Sequence, residues 1–395
     1  MKAWYLCECP YPFVPQDVLD NADSVRASLP NHYVDPRHAA DLYHEVLDEF
    51  LLCDELGINV ISNEHHAGIN CLFGASPLFL GALARQTRNV RILSLGTLIS
   101  IRKDPVRVAE EYAAADVLSR GRLEIGFVKS GGSEMASGNA NPVGFVERFW
   151  EAIDLIIATL THHDGPISWE GTHYRHRSIN IWPPCYQRPH PPLWAATGDP
   201  ASSAELARRD ILNTVVLRGP EGTKKAWDAY KAARTEAGMA PAGPDRFAYS
   251  AFVYTGETDE EAMRVGSQLL WFVNTSLKQA PQYGKLLPGQ SPPELAPTLY
   301  RSKPPPGGAA GRPGAMLAGI TPERAVAEGL MFAGTPDTVV RQINEFQAKV
   351  GGFANLVLIG RSGFMTHAEA EKGLKLFARE VLPRLQTPAL EAALA

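Results

Sequence analysis

Long apolar runs are missing. Nowhere in the 395 residues do about 18 apolar residues follow one another, so no membrane-spanning helix is expected. The opening residues, Met1-Lys-Ala-Trp4, have no apolar stretch leading to a small-residue cleavage site, and the expectation is a cytoplasmic protein. Cysteine is scarce and lacks pattern. There are five, Cys7, Cys9, Cys53, Cys71 and Cys185, an odd number with no CxxC pair. Neither a disulfide framework nor a cysteine zinc site is indicated, and packing is the expected role of all five. An excess of one charge sign is also missing: 38 basic residues stand against 43 acidic ones, spread along the chain, for a net charge of −5. That leaves no electrostatic footprint for nucleic acid or anionic lipid and favours a small-molecule partner. No internal repeat is visible.

What is present is an ordinary globular mixture, 45 % hydrophobic and 21 % charged, able to bury a core without staples. At roughly 150 residues per domain the length would suit two or three domains, but one β/α barrel with insertions can reach about 400. The reading adopted is a single domain over residues 1–395.

Strands and helices alternate. A strand pattern at Ala3–Cys7 is followed by an irregular stretch and a helical pattern from Pro36 to Gly57, where glycine suits the stop. Then come a strand at Val60–Ser62, a helix from Pro77 to Arg88 and a strand at Val90–Ile99. Asp104, Pro105 and Gly121 punctuate the next helix as side-chain cap, first helical residue and stop, with Val106, Ala109, Ala113 and Val117 as its expected apolar stripe. Leu123–Val128 reads as a buried strand and Pro142–Leu160 as an amphipathic helix. Residues 164–192, with six prolines, break the rhythm as an irregular or hairpin insertion. Strand patterns then resume at Leu193–Thr197, Ile211–Leu217, Phe247–Thr255 and Asn355–Ile359, which brings the count to eight. Near-continuous apolar strands, each followed by an amphipathic helix, argue for a parallel sheet covered by helices. Eight units favour a closed α/β barrel of the TIM (β/α)8 kind; a doubly wound open sheet is the structural alternative. A proline- and glycine-rich stretch, 280–319, falls between the seventh and eighth strands and is expected to form a lid.

Two constellations could carry chemistry. The second strand ends in Asn63-Glu64-His65-His66, at the carboxyl end where barrel enzymes place reactive groups. A hydrogen-bonded structural loop is the bland alternative, and a metal site is weaker because ligand spacings such as His-Glu-x-x-His are absent. No metal is expected. The fourth strand ends in Val128-Lys129-Ser130-Gly131-Gly132, where a cation and glycine N–H groups suit a phosphate.

The run Glu64-His65-His66, Leu95-Gly-Thr97, Pro105-Val-Arg107, Glu110, Asp116 and Ser119-Arg-Gly-Arg-Leu-Glu-Ile-Gly126 resembles the bacterial luciferase-like flavin-dependent monooxygenases. The likeness is clearest over residues 52–160 and returns at Ala333-Gly-Thr-Pro-Asp337. It implies a TIM barrel with flavin at its carboxyl face, His65 and Glu64 at the reacting end, and Lys129 at the FMN phosphate. Thr197, Gly198, Asp199 and Ser202 resemble a second phosphate loop. Asp199 is expected to turn away and cap the helix from Pro200, since a carboxylate repels phosphate. Leu98, Ile99 and Val128 are implied beside the cofactor, with a cis peptide expected at Leu98–Ile99.

The activity implied is that of a two-component enzyme. Reduced FMN from a separate flavin reductase would react with O2 and pass one oxygen atom, through a C4a-peroxyflavin, to a small organic substrate. Alternatives are an F420-dependent hydride-transfer enzyme on the same barrel, a flavin-binding protein without turnover, or a metal-dependent hydrolase. A homodimer is allowed. Trp4, Tyr5, Phe73, Trp150, Trp182, Trp194, Trp271 and Phe272 are candidates for core or pocket.

Overall fold

A computed structural model describes residues 1–278, 317 and 319–385. The strands are β1 (Lys2–Cys7), β2 (Asn59–Ser62), β3 (Ile92–Thr97), β4 (Leu123–Phe127), β5 (Ile167–Glu170), β6 (Arg175–Ile179), β7 (Leu193–Ala196), β8 (Leu212–Val216), β9 (Phe247–Thr255), β10 (Met331–Gly334) and β11 (Asn355–Arg361). Parallel pairing runs β1-β2-β3-β4-β7-β8-β9-β11, and β11 pairs back onto β1, with Lys2 opposite Asn355. This is a closed eight-stranded parallel barrel wrapped in helices, a TIM barrel. The open-sheet alternative is excluded by the last pairing.

β10 was not anticipated as a strand. It adds alongside the far end of β9, from Phe252 to Thr255, and its four residues are too few to show periodicity in the sequence. β5 and β6 form an antiparallel hairpin apart from the barrel, which accounts for residues 164–192. The expected lid, 280–319, lies outside the described residues except for Leu317 and Gly319.

The helix starts and stops follow the local chemistry. Asp35 accepts from Arg37 N ahead of Pro36–Leu56, and Gly57 ends that helix at φ 72°, in the left-handed region where a Cβ is penalised. Asp104 accepts from Val106 N and Arg107 N ahead of Pro105–Ser119. The apolar stripe expected on that helix is corrected. Val117 is 39 % exposed, whereas Val108, Ala109, Tyr112, Ala113 and Asp116 are buried. The helix packs against two neighbouring helices as well as the sheet, so its covered face is wider than one stripe.

Two apolar layers result. Inside the barrel, Trp4 meets Trp194 edge-on at 5.0 Å, with Ile61, Leu93, Leu95, Leu212 and Val357 around them. Both indoles are anchored by polar partners, Trp4 Nε1 to Asn355 Oδ1 at 3.2 Å and Trp194 Nε1 to the Glu124 carboxylate, which also pairs with Arg91. Outside the strands, a larger layer joins sheet to helices and takes in Tyr5, Phe73 and all five cysteines as free thiols. Trp182, by contrast, is 83 % exposed on the insertion.

The seam between the first and last strands is polar. Fully buried Glu49 receives Tyr5 Oη at 2.5 Å, Arg361 Nη1 at 2.5 Å and His367 Nδ1 at 3.0 Å. One carboxylate thus ties β1, helix Pro36–Leu56, β11 and helix His367–Leu376 together.

Among the described residues, no helix is long and apolar enough to cross a membrane.

Candidate active site

Because all eight barrel strands are parallel, their carboxyl ends open on one face, and both sequence constellations lie there. Glu64 and His65 follow β2; Lys129 follows β4. The segment from Lys129 to Glu134 joins them, since Glu134, in the short helix Gly132–Ser137, reaches His65.

His65 sits between two carboxylates that the sequence did not point to. Its Nε2 lies 3.2 Å from Glu8 Oε1 and its Nδ1 2.5 Å from Glu134 Oε1. Burial alone would lower the pKa of the imidazole, but the two acids outweigh it and push the value up to about 10. Glu134 itself is held below the usual carboxylate range: burial acts to raise it, and His65, with help from the Gly131 N–H and Arg26, more than offsets that. Glu8 and Glu134 carry no sequence signal for this role, being 57 and 69 positions from His65.

Glu64 turns away from His65. It is 1 % exposed and gathers His66 Nε2 at 2.8 Å, Ser76 Oγ at 3.1 Å and two nitrogens of Arg102, each at 3.2 Å. Burial pushes its pKa up, yet these partners prevail and leave it lowered. Of the Glu-His-His triplet, the outer two residues hold each other, and the middle one is presented.

The glycine pair after β4 behaves differently from expectation. Gly131 N donates to Glu134 Oε2 at 2.9 Å, and Gly132 opens the short helix. The Gly131 donor is therefore already used by the acid that also holds His65.

Lys129 Nζ donates to Ser202 Oγ at 2.7 Å and stands 5.6 Å from the centre of the Trp150 ring. Burial lowers its pKa, with Asp199 acting in opposition. Asp199 caps helix Pro200–Arg208 as anticipated, its Oδ2 accepting from Ser202 N at 2.8 Å, and Thr197 Oγ1 accepts from Asp199 N at 3.1 Å. A Cβ on Gly198 would come within 3.0 Å of Arg218 Cδ. This exposed arginine lies just past β8, at a position the sequence reading did not single out.

The cis peptide is corrected. It joins Leu95 to Gly96, and Leu98–Ile99 is trans. A Cβ at position 96 would lie 2.2 Å from Val128 Cγ2, so close packing of β3 on β4 selects glycine there. Leu98 and Ile99 are both fully buried, Ile99 in the outer apolar layer.

The face also carries buried hydroxyls without a hydrogen-bond partner among the described residues: Ser62 Oγ at the tip of β2, Ser100 Oγ past β3, Thr255 Oγ1 at the tip of β9 and Ser362 Oγ past β11. Unpaired buried polar atoms are costly and call for a partner. Beside His65 opens a cleft of about 360 Å³, lined by Val14, Leu29, Val34 and Ile69 and, on its polar side, by Asn31 and the histidine pair.

A family model for luciferase-like monooxygenases matches residues 27–351. This chain belongs to that family. A protein of Sinorhizobium fredii named y4wF is 30 % identical over 191 residues, 47 % of this chain and 53 % of that one. The oxygenase component of the flavin-dependent trigonelline monooxygenase of Acinetobacter baylyi is 28 % identical over 184 residues, 46 % and 50 % of the two chains. The matched stretch spans about half the length of these curated relatives. Among solved structures, the monooxygenase RslO1 of Streptomyces bottropensis shares the fold at a TM-score of 0.72 and 25 % identity, covering 98 % of this chain and all of that one.

Proposed function

We propose that this member of the family is the oxygenase of a two-component system, using reduced FMN from a separate flavin reductase and O2 to place one oxygen atom in a small organic substrate. The observation that carries the reading is the pairing on one barrel face of a cation–hydroxyl couple, Lys129 with Ser202, and a histidine held between two carboxylates, His65, linked through residues 129–134.

Bound reduced flavin would supply the electrons that activate dioxygen, one oxygen atom going to substrate and the other leaving as water. The residues present fit such a group. Lys129, Ser202 and Arg218 would hold its phosphate at the start of helix Pro200–Arg208, where the helix dipole also favours an anion. The partnerless hydroxyls of Ser62, Ser100, Thr255 and Ser362 offer hydrogen bonds to a polar heterocycle across the strand tips. Leu95 and Val128 border the same mouth with apolar surface. His65 stands where a proton can be given to the reacting molecules, and the adjoining cleft, mostly apolar, suits a neutral organic substrate more than a charged one. Glu64 anchors the loop that presents His65. Asp199 fixes the phosphate loop and does not itself meet the phosphate.

The test supplies purified protein with pre-reduced FMN, isotopically labelled dioxygen and a panel of small neutral cyclic and linear substrates. One labelled atom per product molecule is expected, and none without reduced FMN. Label drawn from water, or no affinity for FMN in either redox state, would refute the proposal. Parallel titration with F420 separates the hydride-transfer alternative, which consumes no oxygen.

A further inference from the structure

His65 bridges three barrel units. Glu8 comes from the segment after β1, His65 from the segment after β2, and Glu134 from the helix after β4. Both ring nitrogens face carboxylate oxygens, at 3.2 Å and 2.5 Å. A neutral imidazole has one N–H and one lone pair, so between two ionised carboxylates one of these contacts would set lone pair against lone pair. Only the imidazolium donates to both. The acids are fixed in turn. Gly131 N donates to the second oxygen of Glu134 at 2.9 Å, and Asn70 Nδ2 lies 3.4 Å from the second oxygen of Glu8.

We propose that Glu8 and Glu134 are positioning residues that keep His65 an imidazolium, so that it serves the site as a proton and hydrogen-bond donor and not as a base.

The surroundings agree. Arg26, whose Nε donates to Ser276 O, adds a smaller positive influence that helps to hold Glu134 ionised. Cys71, on the His65 loop, has its thiol pushed well above the usual range by burial and by Glu8, so it brings no charge. His66 is turned to Glu64. A proton acceptor at this place would need a free ring lone pair, and with both flanking acids ionised each ring nitrogen is called on to donate.

The link to chemistry rests on the monooxygenase reading above; the protonation state does not. It is therefore measured on cofactor-free protein, by NMR of isotope-labelled histidine rings between about pH 6 and 9, around the ordinary histidine value of about 6.5. His65→Asn assigns the signal among the eleven histidines. The wild-type ring is expected to stay imidazolium through most of that range. Glu134→Gln and Glu8→Gln should each bring its midpoint down into the range, Glu134→Asp should restore part of the elevation, and circular dichroism should show all of them folded. In turnover, Glu134→Gln should add an ionisation near neutrality that the wild-type pH profile lacks. A wild-type midpoint near 6.5, or folded glutamine variants that leave a high midpoint unmoved, would overturn the proposal. Should the variants fail to fold, the wild-type titration alone decides. A low midpoint would leave the proposed reaction standing, and a failure to bind flavin would leave the protonation state standing.

Discussion

Lys129→Met isolates the charge assigned to the phosphate. The stem of Lys129 lies beside Phe149 and Trp150, both within 5.7 Å of its nitrogen, and methionine keeps that packing while removing the ammonium. A unit charge 4 Å from another is worth about 4 kcal/mol at an effective dielectric of 20, an upper bound. Charge-assisted hydrogen bonds measured by mutation give about 1.5–3 kcal/mol. Lys129 stands toward the upper part of that span, because burial already disfavours its charged form and a phosphate would relieve the cost. A loss of about 2–3 kcal/mol corresponds to FMN binding weakened roughly 30- to 150-fold. Riboflavin has the same ring and no phosphate, so its affinity should change by less than about twofold on the same scale. The assay is fluorescence titration of both ligands against both proteins, repeated at two salt concentrations. The FMN loss should shrink at high salt, and thermal stability should hold or rise, since an unfavourable buried charge has gone. An equal loss for both ligands would place Lys129 at the ring or in the fold, and no loss for either would refute the phosphate assignment.

Asp199→Ala should separate stability from binding: loss of the cap on Ser202 N costs about 1 kcal/mol, lowering the melting temperature by roughly 1 °C, while removing a carboxylate near Lys129 strengthens FMN binding in titration. Glu49→Ala should cost about 3–5 kcal/mol in chemical denaturation, because it removes one of the two carboxylates paired with buried Arg361 and the buried acceptor of Tyr5 Oη. The same seam sets a pH dependence. The Glu49 hydrogen bond raises the His367 pKa, partly opposed by burial, so this contribution to stability is fully present below the unfolded value of about 6.5 and is lost as pH rises through the folded value. Stability measured across that window should show the decline in wild type and lose it in Glu49→Gln.

The barrel was legible because its strands announce themselves twice, by apolar runs and by the caps between them. Asp35, Asp104 and Gly57 do in the structure what their residue types imply. Elements without that double signal escaped: β10 has four residues, and the helix Gly132–Ser137 begins at glycines that read as a loop.

The site was half legible, and the reason lies in how a barrel divides its labour. Arg122, from the most family-specific stretch of sequence, donates to Ala84 O, Thr87 O, Thr87 Oγ1, Val90 O and Ser119 O. Asp116, from the same stretch, is fully buried and accepts from Gln187 N and Nε2, each at 2.8 Å. Both lie toward the amino ends of the strands, the stabilising face, away from the mouth where chemistry occurs. The partners of Arg122 all lie within the preceding two helix–strand units, between Ala84 and Ser119, and Asp116 receives Gln187 from the insertion. The partners of His65 come from β1 and β4 across the mouth, so their spacing in the chain is set by loop lengths that can vary without moving the carboxylates. A motif scan therefore finds the scaffold and the histidine, whereas the proton on that histidine is fixed by residues that only closure of the barrel brings within reach.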